Sequence, residues 1–427
     1  TIRGTAFPSV ALGIKNALGF LIFTMQLKLF DENCTSKNNK LLTDLFYAYY
    51  DARRNKRNTI NQLKFEIDFE SSLISLYDSI VARTYKPDRS ICFIVQKPVK
   101  REIFAADFRD RVVHHLIYNY ISPIFEKTFI NDSYSCRKGK GTHYGIKRID
   151  HFIRSCSSNY SKDCYILKLD IKGYFMAMNK VLLYDKVKCE LMGKRNCVDF
   201  DMGTVLYLIE KTIFNNPTAD CIVKGKKADW AGLPQTKSLF HTQPSCGLPI
   251  GNLTSQLFGN IYMNEFDHWV KRELGIKYYG RYVDDFVLIH ENKEYLKSLI
   301  PLIAVFLQKK LQLQLHPSKI YFQHYSKGVK YLGAVIKPHR IYIGNRTKGN
   351  FYDAIETQNK IIQNHKPTKE EQQAFQSSMN SYLGIMKHYK TYKLQKGMLF
   401  NNLSGWWWNY VYLSGGICKF EMKTKAV

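Results

Sequence analysis

Acidic residues are scarce in this chain: 36 Asp and Glu stand against 63 Lys and Arg, a net charge of +27 over 427 residues. That imbalance points to a polyanionic partner. Paired cysteines are also missing. Ten cysteines are scattered without one Cys-x-x-Cys, which argues against a structural zinc site or a disulfide scaffold and fits reduced thiols in a cytoplasmic protein. No apolar run is long enough to span a bilayer, which takes about 20 residues. The nearest, Ala17 to Leu27, has eleven and no small-residue cleavage site behind it, so no membrane partner is expected. Residue 1 is Thr, and the functional protein is expected to begin near Met25, with residues 1–24 an extension. Repeats, low-complexity tracts and the Walker spacing GxxxxGK[ST] are absent, so NTPase function is disfavoured. What is present, 45% hydrophobic and 14% aromatic residues, supplies packed cores and excludes global disorder.

The pattern of elements is mixed. Leu41–Tyr50 reads as a helix running into a basic cluster, Arg53–Arg57. Phe65, Phe69, Leu73, Leu76 and Ile80, spaced by three and four, predict one helix over 61–83. Ser90–Gln96 reads as a strand, Lys97–Arg101 as a basic turn, and Asp107–Phe125 as a helix. Tyr165–Leu169, Ile320–Phe322, Val329–Ile336 and Arg340–Ile343 read as strands, and 350–364 and 369–403 as long helices parted by Pro367. Without a βαβα alternation, the order predicts an α+β fold.

Chemistry concentrates in two acidic strand ends. Tyr282-Val283-Asp284-Asp285 lies between two strand-like runs, Lys277–Arg281 and Phe286–Ile289, and predicts a hairpin with its carboxylates at the turn. Leu167-Lys168-Leu169-Asp170 is an apolar strand ending in an acid. Carboxylates at adjacent strand ends can bind two divalent ions about 4 Å apart. Mg²⁺, with Mn²⁺ as the alternative, suits such a site because it takes few carboxylates and keeps positions for water and phosphate. A third feature, Gly247-Leu248-Pro249-Ile250-Gly251-Asn252-Leu253-Thr254-Ser255-Gln256, is a tight turn running into a helix. Its glycines permit close backbone approach to a flat ligand.

In this order the motifs resemble a reverse transcriptase. They are a basic finger segment, Asp170, the Gly-rich turn, Tyr-Val-Asp-Asp, Leu313–Lys319 and Tyr331-Leu332-Gly333, together covering about 43–400. The resemblance implies a right-hand polymerase with fingers, a palm of antiparallel sheet plus helices, and a helical thumb. Its implied domains are an extension at 1–42 and N-terminal helices and fingers at 43–165. A palm at 166–345, with a basic insertion at about 214–246, and a thumb and tail at 346–427 follow.

It also implies roles. Asp170 and Asp284 would bind metal with the Ile171 carbonyl, and Asp285 would support them. Phe175, five residues after Asp170, would be the steric gate against a ribonucleotide 2′-hydroxyl. Arg101, eight residues before Arg109, and Lys100 would contact the triphosphate, where a guanidinium fork suits phosphate oxygens. Ile250, Gly251 and Gln256 would line the nucleotide site. Lys319 would protonate the leaving pyrophosphate, and Tyr331, Leu332 and Gly333 would form the primer grip. Arg137 and Lys138 would lie near the template. Lys387, Lys390, Lys393 and Lys396 recur every three residues on an expected thumb helix, with Lys387 and Lys390 tracking the duplex by shape and backbone. Trp406-Trp407-Trp408 cannot all point one way, so one or two rings are expected to pack and another to stay exposed.

Pro249-Ile250-Gly251 and Ser255-Gln256 stand where many bacterial relatives carry Pro-Gln-Gly and Ser-Pro. The segment is similar to reverse transcriptases of diversity-generating retroelements. That resemblance implies error-prone copying of a template-repeat RNA into cDNA from dNTPs, with misincorporation opposite adenines. It also implies a basic oligomeric accessory variability protein as partner. An antiphage defence reverse transcriptase and a non-catalytic nucleic-acid-binding module are the competing readings. The intact Asp170, Asp284 and Asp285 speak against the latter.

Overall fold

The computed structural model describes residues 37–54, 59–96 and 99–423. The start expected near Met25, most of the basic cluster after Arg53, and Lys97 lie outside them. The chain forms two compact units interleaved in sequence. One takes the residues up to Phe129 with 172–264 and 310–313; the other takes 130–171, 265–309 and 314 onward.

The first unit opens with helices α1 (Lys37–Arg53), α2 (Ile60–Glu66) and α3 (Phe69–Val81). The single helix expected over 61–83 is therefore two. Asp68 explains the break: its carboxylate accepts the Ser71 N–H at 3.4 Å and caps α3, an arrangement worth about 1 kcal/mol. Phe69 then stacks on Tyr49 with ring centroids 5.0 Å apart. Strands β1 (Ile91–Val95) and β2 (Arg101–Ala105) form a hairpin, followed by α4 (Phe108–Glu126), which Asp107 caps.

The second unit begins with α5 (Thr142–Cys156) and β3 (Tyr165–Asp170). The chain then returns to the first unit with α6 (Tyr174–Ala177), α7 (Lys180–Met192), α8 (Met202–Ile213) and β4 (Ile222–Val223). Strand β4 pairs parallel to β1, so the basic insertion extends the β1–β2 hairpin into a three-stranded sheet. Glu102 anchors it. Its buried carboxylate accepts from Trp230 Nε1 at 2.7 Å, Ser238 Oγ at 2.9 Å and the Leu239 N–H at 2.6 Å. Because side chains alternate along a strand, Glu102 points inward while Arg101 is exposed. The Gly-rich turn then leads into α9 (Leu253–His268), whose Leu257, Ile261, Met263 and Phe266 are buried as the spacing requires.

Strands β5 (Tyr278–Tyr282) and β6 (Asp285–His290), helix α10 (Lys293–Leu311) and β7 (Tyr321–His324) follow. The sheet order is β5-β6-β3-β7, every pairing antiparallel. Helix α5 packs on it through Ile146, Ile149, Phe152 and Ile153, against Ile166, Val287 and Ile289. The stretch 329–336 is a tight hairpin rather than one strand: β8 (Val329–Tyr331) and β9 (Ala334–Lys337) meet at Leu332 and Gly333, at φ +47° and +83°. Two consecutive positive φ values are what a two-residue turn matching strand twist requires. Strand β10 (Arg340–Ile343) completes that sheet.

The C-terminal part comprises α11 (Asn345–Asn364), α12 (Lys369–Met386), α13 (Tyr392–Asn402) and the hairpin β11 (Val411–Ser414)–β12 (Lys419–Met422). Its core gathers Phe351, Phe375, Met379, Leu383, Met398 and Trp407. The helix expected over 369–403 breaks at 387–391, where the Thr391 hydroxyl donates to the Met386 carbonyl at 2.8 Å. Lys387, Lys390, Lys393 and Lys396 therefore do not share a helix: the first two are exposed in the connection, and the last two lie on α13. The three tryptophans divide as expected. Trp407 is buried and donates Nε1–H to the Gln358 carbonyl at 3.1 Å, Trp408 stacks on Phe400, and Trp406 is exposed.

Candidate active site

In the second unit Asp170 and Asp285 are direct partners in the β3–β6 register, which sets both carboxylates on one face of the sheet. Asp284 precedes Asp285 in a connection of only two residues, Val283 and Asp284, and Val283 sits at φ +57°. A β-branched residue rarely adopts that conformation, and such strain collects at functional sites. The acidic hairpin thus forms as the sequence predicts.

Each outer carboxylate has a lysine. Lys319 Nζ lies 2.8 Å from Asp170 Oδ2, and Lys168 Nζ lies 3.3 Å from Asp285 Oδ1. Lys319 arrives because its segment runs beside the end of β3. The His316 N–H donates to the Asp170 carbonyl at 2.8 Å, and Ile171 bridges Leu315. Burial and the neighbouring Asp170 and Asp285 push the Asp284 carboxyl up to about 6. Burial also raises Asp285, against the pull of Lys168.

The same unit places the remaining expected residues less uniformly. Tyr331 is buried, so it is the Leu332-Gly333 turn that the β8–β9 hairpin presents. Arg137 donates to the Ile130 and Ser133 carbonyls at 2.7 and 3.0 Å, bracing its loop, whereas Lys138 is exposed. Lys387 and Lys390 are exposed beside His388, whose ring stacks on His143 at 3.8 Å.

In the first unit Phe175 and Ile250 pack on one cluster with Cys92, Phe104, Met176 and Leu239. The Leu248 N–H donates to the Phe175 carbonyl and the Phe104 N–H to the Ile250 carbonyl, both at 2.9 Å. Gly251 has φ +129°, and a β-carbon there would lie 2.9 Å from the Phe104 carbonyl oxygen. The Gly-rich turn is therefore fastened to both the Phe175 segment and β2. Gln256 and Arg101 are exposed, and Lys100 donates to the Ala231 carbonyl at 2.6 Å.

Residues 95–336 match the reverse transcriptase (RNA-dependent DNA polymerase) family. The chain belongs to that family. Over 308 residues it is 23% identical to Protein YkfC of Escherichia coli, covering 64% of this chain and 73% of that one. Solved structures similar to it include a telomerase of Candida tropicalis truncated from the C-terminal domain, at 14% identity and TM-score 0.42 over 62% of this chain and 58% of that one. Another is a telomerase of Candida albicans in complex with a TWJ fragment of telomeric RNA, at 12% identity and TM-score 0.43 over 77% of this chain and 63% of that one. The chain thus spans about three fifths of the length of those telomerase chains. The mixed helices and antiparallel sheet agree with the right-hand polymerase architecture of a reverse transcriptase.

Reverse transcriptases use Mg²⁺. Among the described residues, no three His, Cys, Asp or Glu side chains are drawn together as a cation cluster. The donors nevertheless fit a hard divalent ion. They are oxygens only, and buried Asp170 Oδ1 has no hydrogen-bond partner among the described residues. Two ammoniums stand where compensating positive charge is needed. Sequence reading missed Lys168, although its spacing of two from Asp170 puts it on the same strand face. It also missed Glu102, for which no local signal existed, because its three donors lie more than 120 residues away. Among the described residues no helix is long and apolar enough to cross a membrane.

Proposed function

We propose that this protein is an RNA-directed DNA polymerase that copies a template-repeat RNA into cDNA with low fidelity at adenines, for mutagenic retrohoming of a diversity-generating retroelement. The observation that carries the polymerase reading is Asp170 facing Asp285 across the β3–β6 register, with Asp284 beside it on a strained two-residue turn. The retroelement reading rests on Ile250 within the Gly247–Gln256 segment. An apolar side chain there offers no hydrogen bond to the nascent pair, as glutamine would.

Asp170, Asp284 and the Ile171 main chain would hold Mg²⁺ or Mn²⁺, with Asp285 in support. When bound, the ions supply charge neutralisation and a more acidic 3′-hydroxyl. The chain's own residues do the rest. Arg101 and Lys100 orient the triphosphate of a dNTP, and Phe175 excludes a 2′-hydroxyl. Lys319 delivers a proton to the departing pyrophosphate. Lys138, Lys387 and Lys390 hold nucleic-acid backbone, the Leu332-Gly333 turn braces the primer, and a basic oligomeric accessory protein joins the RNA complex. The deciding experiment is primer extension on an adenine-containing RNA with dNTPs and Mg²⁺, followed by product sequencing. Extension with errors concentrated opposite adenine is expected, lost in Asp284→Ala. Extension by Asp284→Ala at the parent's rate refutes the polymerase reading, and a flat error spectrum refutes the retroelement reading.

A further inference from the structure

The geometry points to Arg281 as a positioning residue that clamps the catalytic turn in its left-handed conformation, with Asp267 as its buried counter-charge. This rests on the polymerase reading for its catalytic consequence, but not for its structural one.

Arg281 is the penultimate residue of β5 and completely buried. Its Nε and Nη2 bond Asp267 Oδ1 and Oδ2 at 2.7 and 2.6 Å, and Asp267 is completely buried too. The Tyr279 hydroxyl donates to the same Asp267 oxygen at 2.6 Å. A bidentate pair of this kind fixes the plane of the guanidinium. The third nitrogen, Nη1, is thereby aimed at the Val283 carbonyl, which accepts at 3.0 Å. Val283 is the residue at φ +57° immediately before Asp284. A valine does not hold that conformation without help, and the buried guanidinium supplies the fixed partner.

The clamp also reaches a second strand-like segment. Arg281 N–H donates to the Asp132 carbonyl and the Tyr134 N–H to the Arg281 carbonyl, both at 2.9 Å. Arg281 Nη2 also contacts Ser133 Oγ at 3.3 Å. Arg148 pairs with Asp132 at 2.7 Å, so the far side of this contact is itself held. The fold therefore fixes Arg281 from helix α9, from β5 and from the 132–134 segment, and Arg281 in turn fixes the Val283 carbonyl.

Removing one partner of a buried ion pair leaves an uncompensated charge, so Arg281→Ala would report misfolding rather than positioning. A charge-free replacement, Arg281→Met with Asp267→Asn, nearly keeps volume, removes both charges and leaves an acceptor for the Tyr279 hydroxyl. This double variant is expected to melt close to the parent and to bind primer–template with a Kd within about threefold. Its kcat is expected to fall about 100-fold, the scale on which a misplacement near 1 Å acts. Adding Val283→Gly, which adopts positive φ freely, should recover kcat at least about tenfold. Arg281→Lys, which keeps the charge but lacks the fork, should show the same kcat loss should the double variant not fold. Hydrogen exchange over 279–288 supplies a readout independent of catalysis: faster exchange of the turn amides at unchanged melting temperature is expected. Unchanged exchange overturns the clamp even if the protein makes no DNA. A folded double variant, or Arg281→Lys, with kcat within threefold of the parent overturns its catalytic role.

Discussion

Lys319 Nζ lies 2.8 Å from Asp170 Oδ2, across 149 residues of sequence. The lysine is half-exposed, so the ion pair contributes under about 1 kcal/mol to stability, and under the proposed function its role is chemical. Lys319→Met is expected to leave the melting temperature within a few degrees. As the loss of a general acid, it should slow single-turnover nucleotide addition about 10²-fold. Rapid-quench measurement of one dNTP addition decides it, and an unchanged rate removes Lys319 from the chemistry.

Under the proposed function, Ile250→Gln would place a donor and acceptor beside the nascent pair. Discrimination at adenines should rise about tenfold, the scale of one recovered polar contact of about 1.4 kcal/mol. Sequencing cDNA made by parent and variant on the same RNA tests this, and identical adenine error rates refute it.

Gly251→Ala acts through backbone. Its β-carbon would sit 2.9 Å from the Phe104 carbonyl oxygen and from Ile103 Cγ2, at a φ of +129° that an alanine resists. The turn must withdraw from β2, breaking the bond between the Phe104 N–H and the Ile250 carbonyl. A loss of about 1–3 kcal/mol is expected, with a raised KM for dNTP. A urea unfolding curve superimposing on the parent's would contradict it.

Two buried groups in the first unit oppose each other in their dependence on pH. Asp110 accepts from the Tyr85 hydroxyl at 2.7 Å and the Asp88 N–H at 2.8 Å, yet burial pushes its carboxyl from 3.8 up to about 7. The native state keeps a proton that the unfolded chain loses, so its stabilisation is full below pH 3.8 and is lost as pH rises to 7. His114, bonded to Thr254 Oγ1 at 2.8 Å, is pushed by burial from 6.5 down to about 3. Its contribution is full above pH 6.5 and is lost as pH falls to 3. The two slopes oppose each other between about 4 and 6.5. Asp110→Asn removes the first, and stability should then fall with acid by up to about 1.4 kcal/mol per pH unit. Urea midpoints at pH 4.5 and 7 check this; the same pH dependence in parent and variant would exclude it.

The acidic hairpin was legible because two alternating strands and an acidic pair at their junction are local signals. The Gly-rich turn into α9 was legible for the same reason. What escaped depends on distant partners. Arg281 reads as one more basic residue in a basic chain until Asp267 is seen beside it. Arg137 reads as a residue near the template, and its bracing of its own loop shows only once that loop folds back to offer carbonyls. The breaks at Asp68 and at Thr391 had local signals, a capping carboxylate and a threonine, but apolar periodicity outweighed them.

Strand β3 is an interior strand of its sheet, yet it is made before either neighbour. Strand β6 follows by 115 residues at the Asp170–Asp285 pair, and β7 later still. Synthesis and assembly therefore run out of order. A nascent chain that has emerged as far as Asp170 has no partner for it, and contacts this far apart in sequence form slowly. The face that carries Asp170 and Asp285 comes into being only once β6 has been made. A partly made copy of this protein carries its early basic segments well before it carries a complete acidic face.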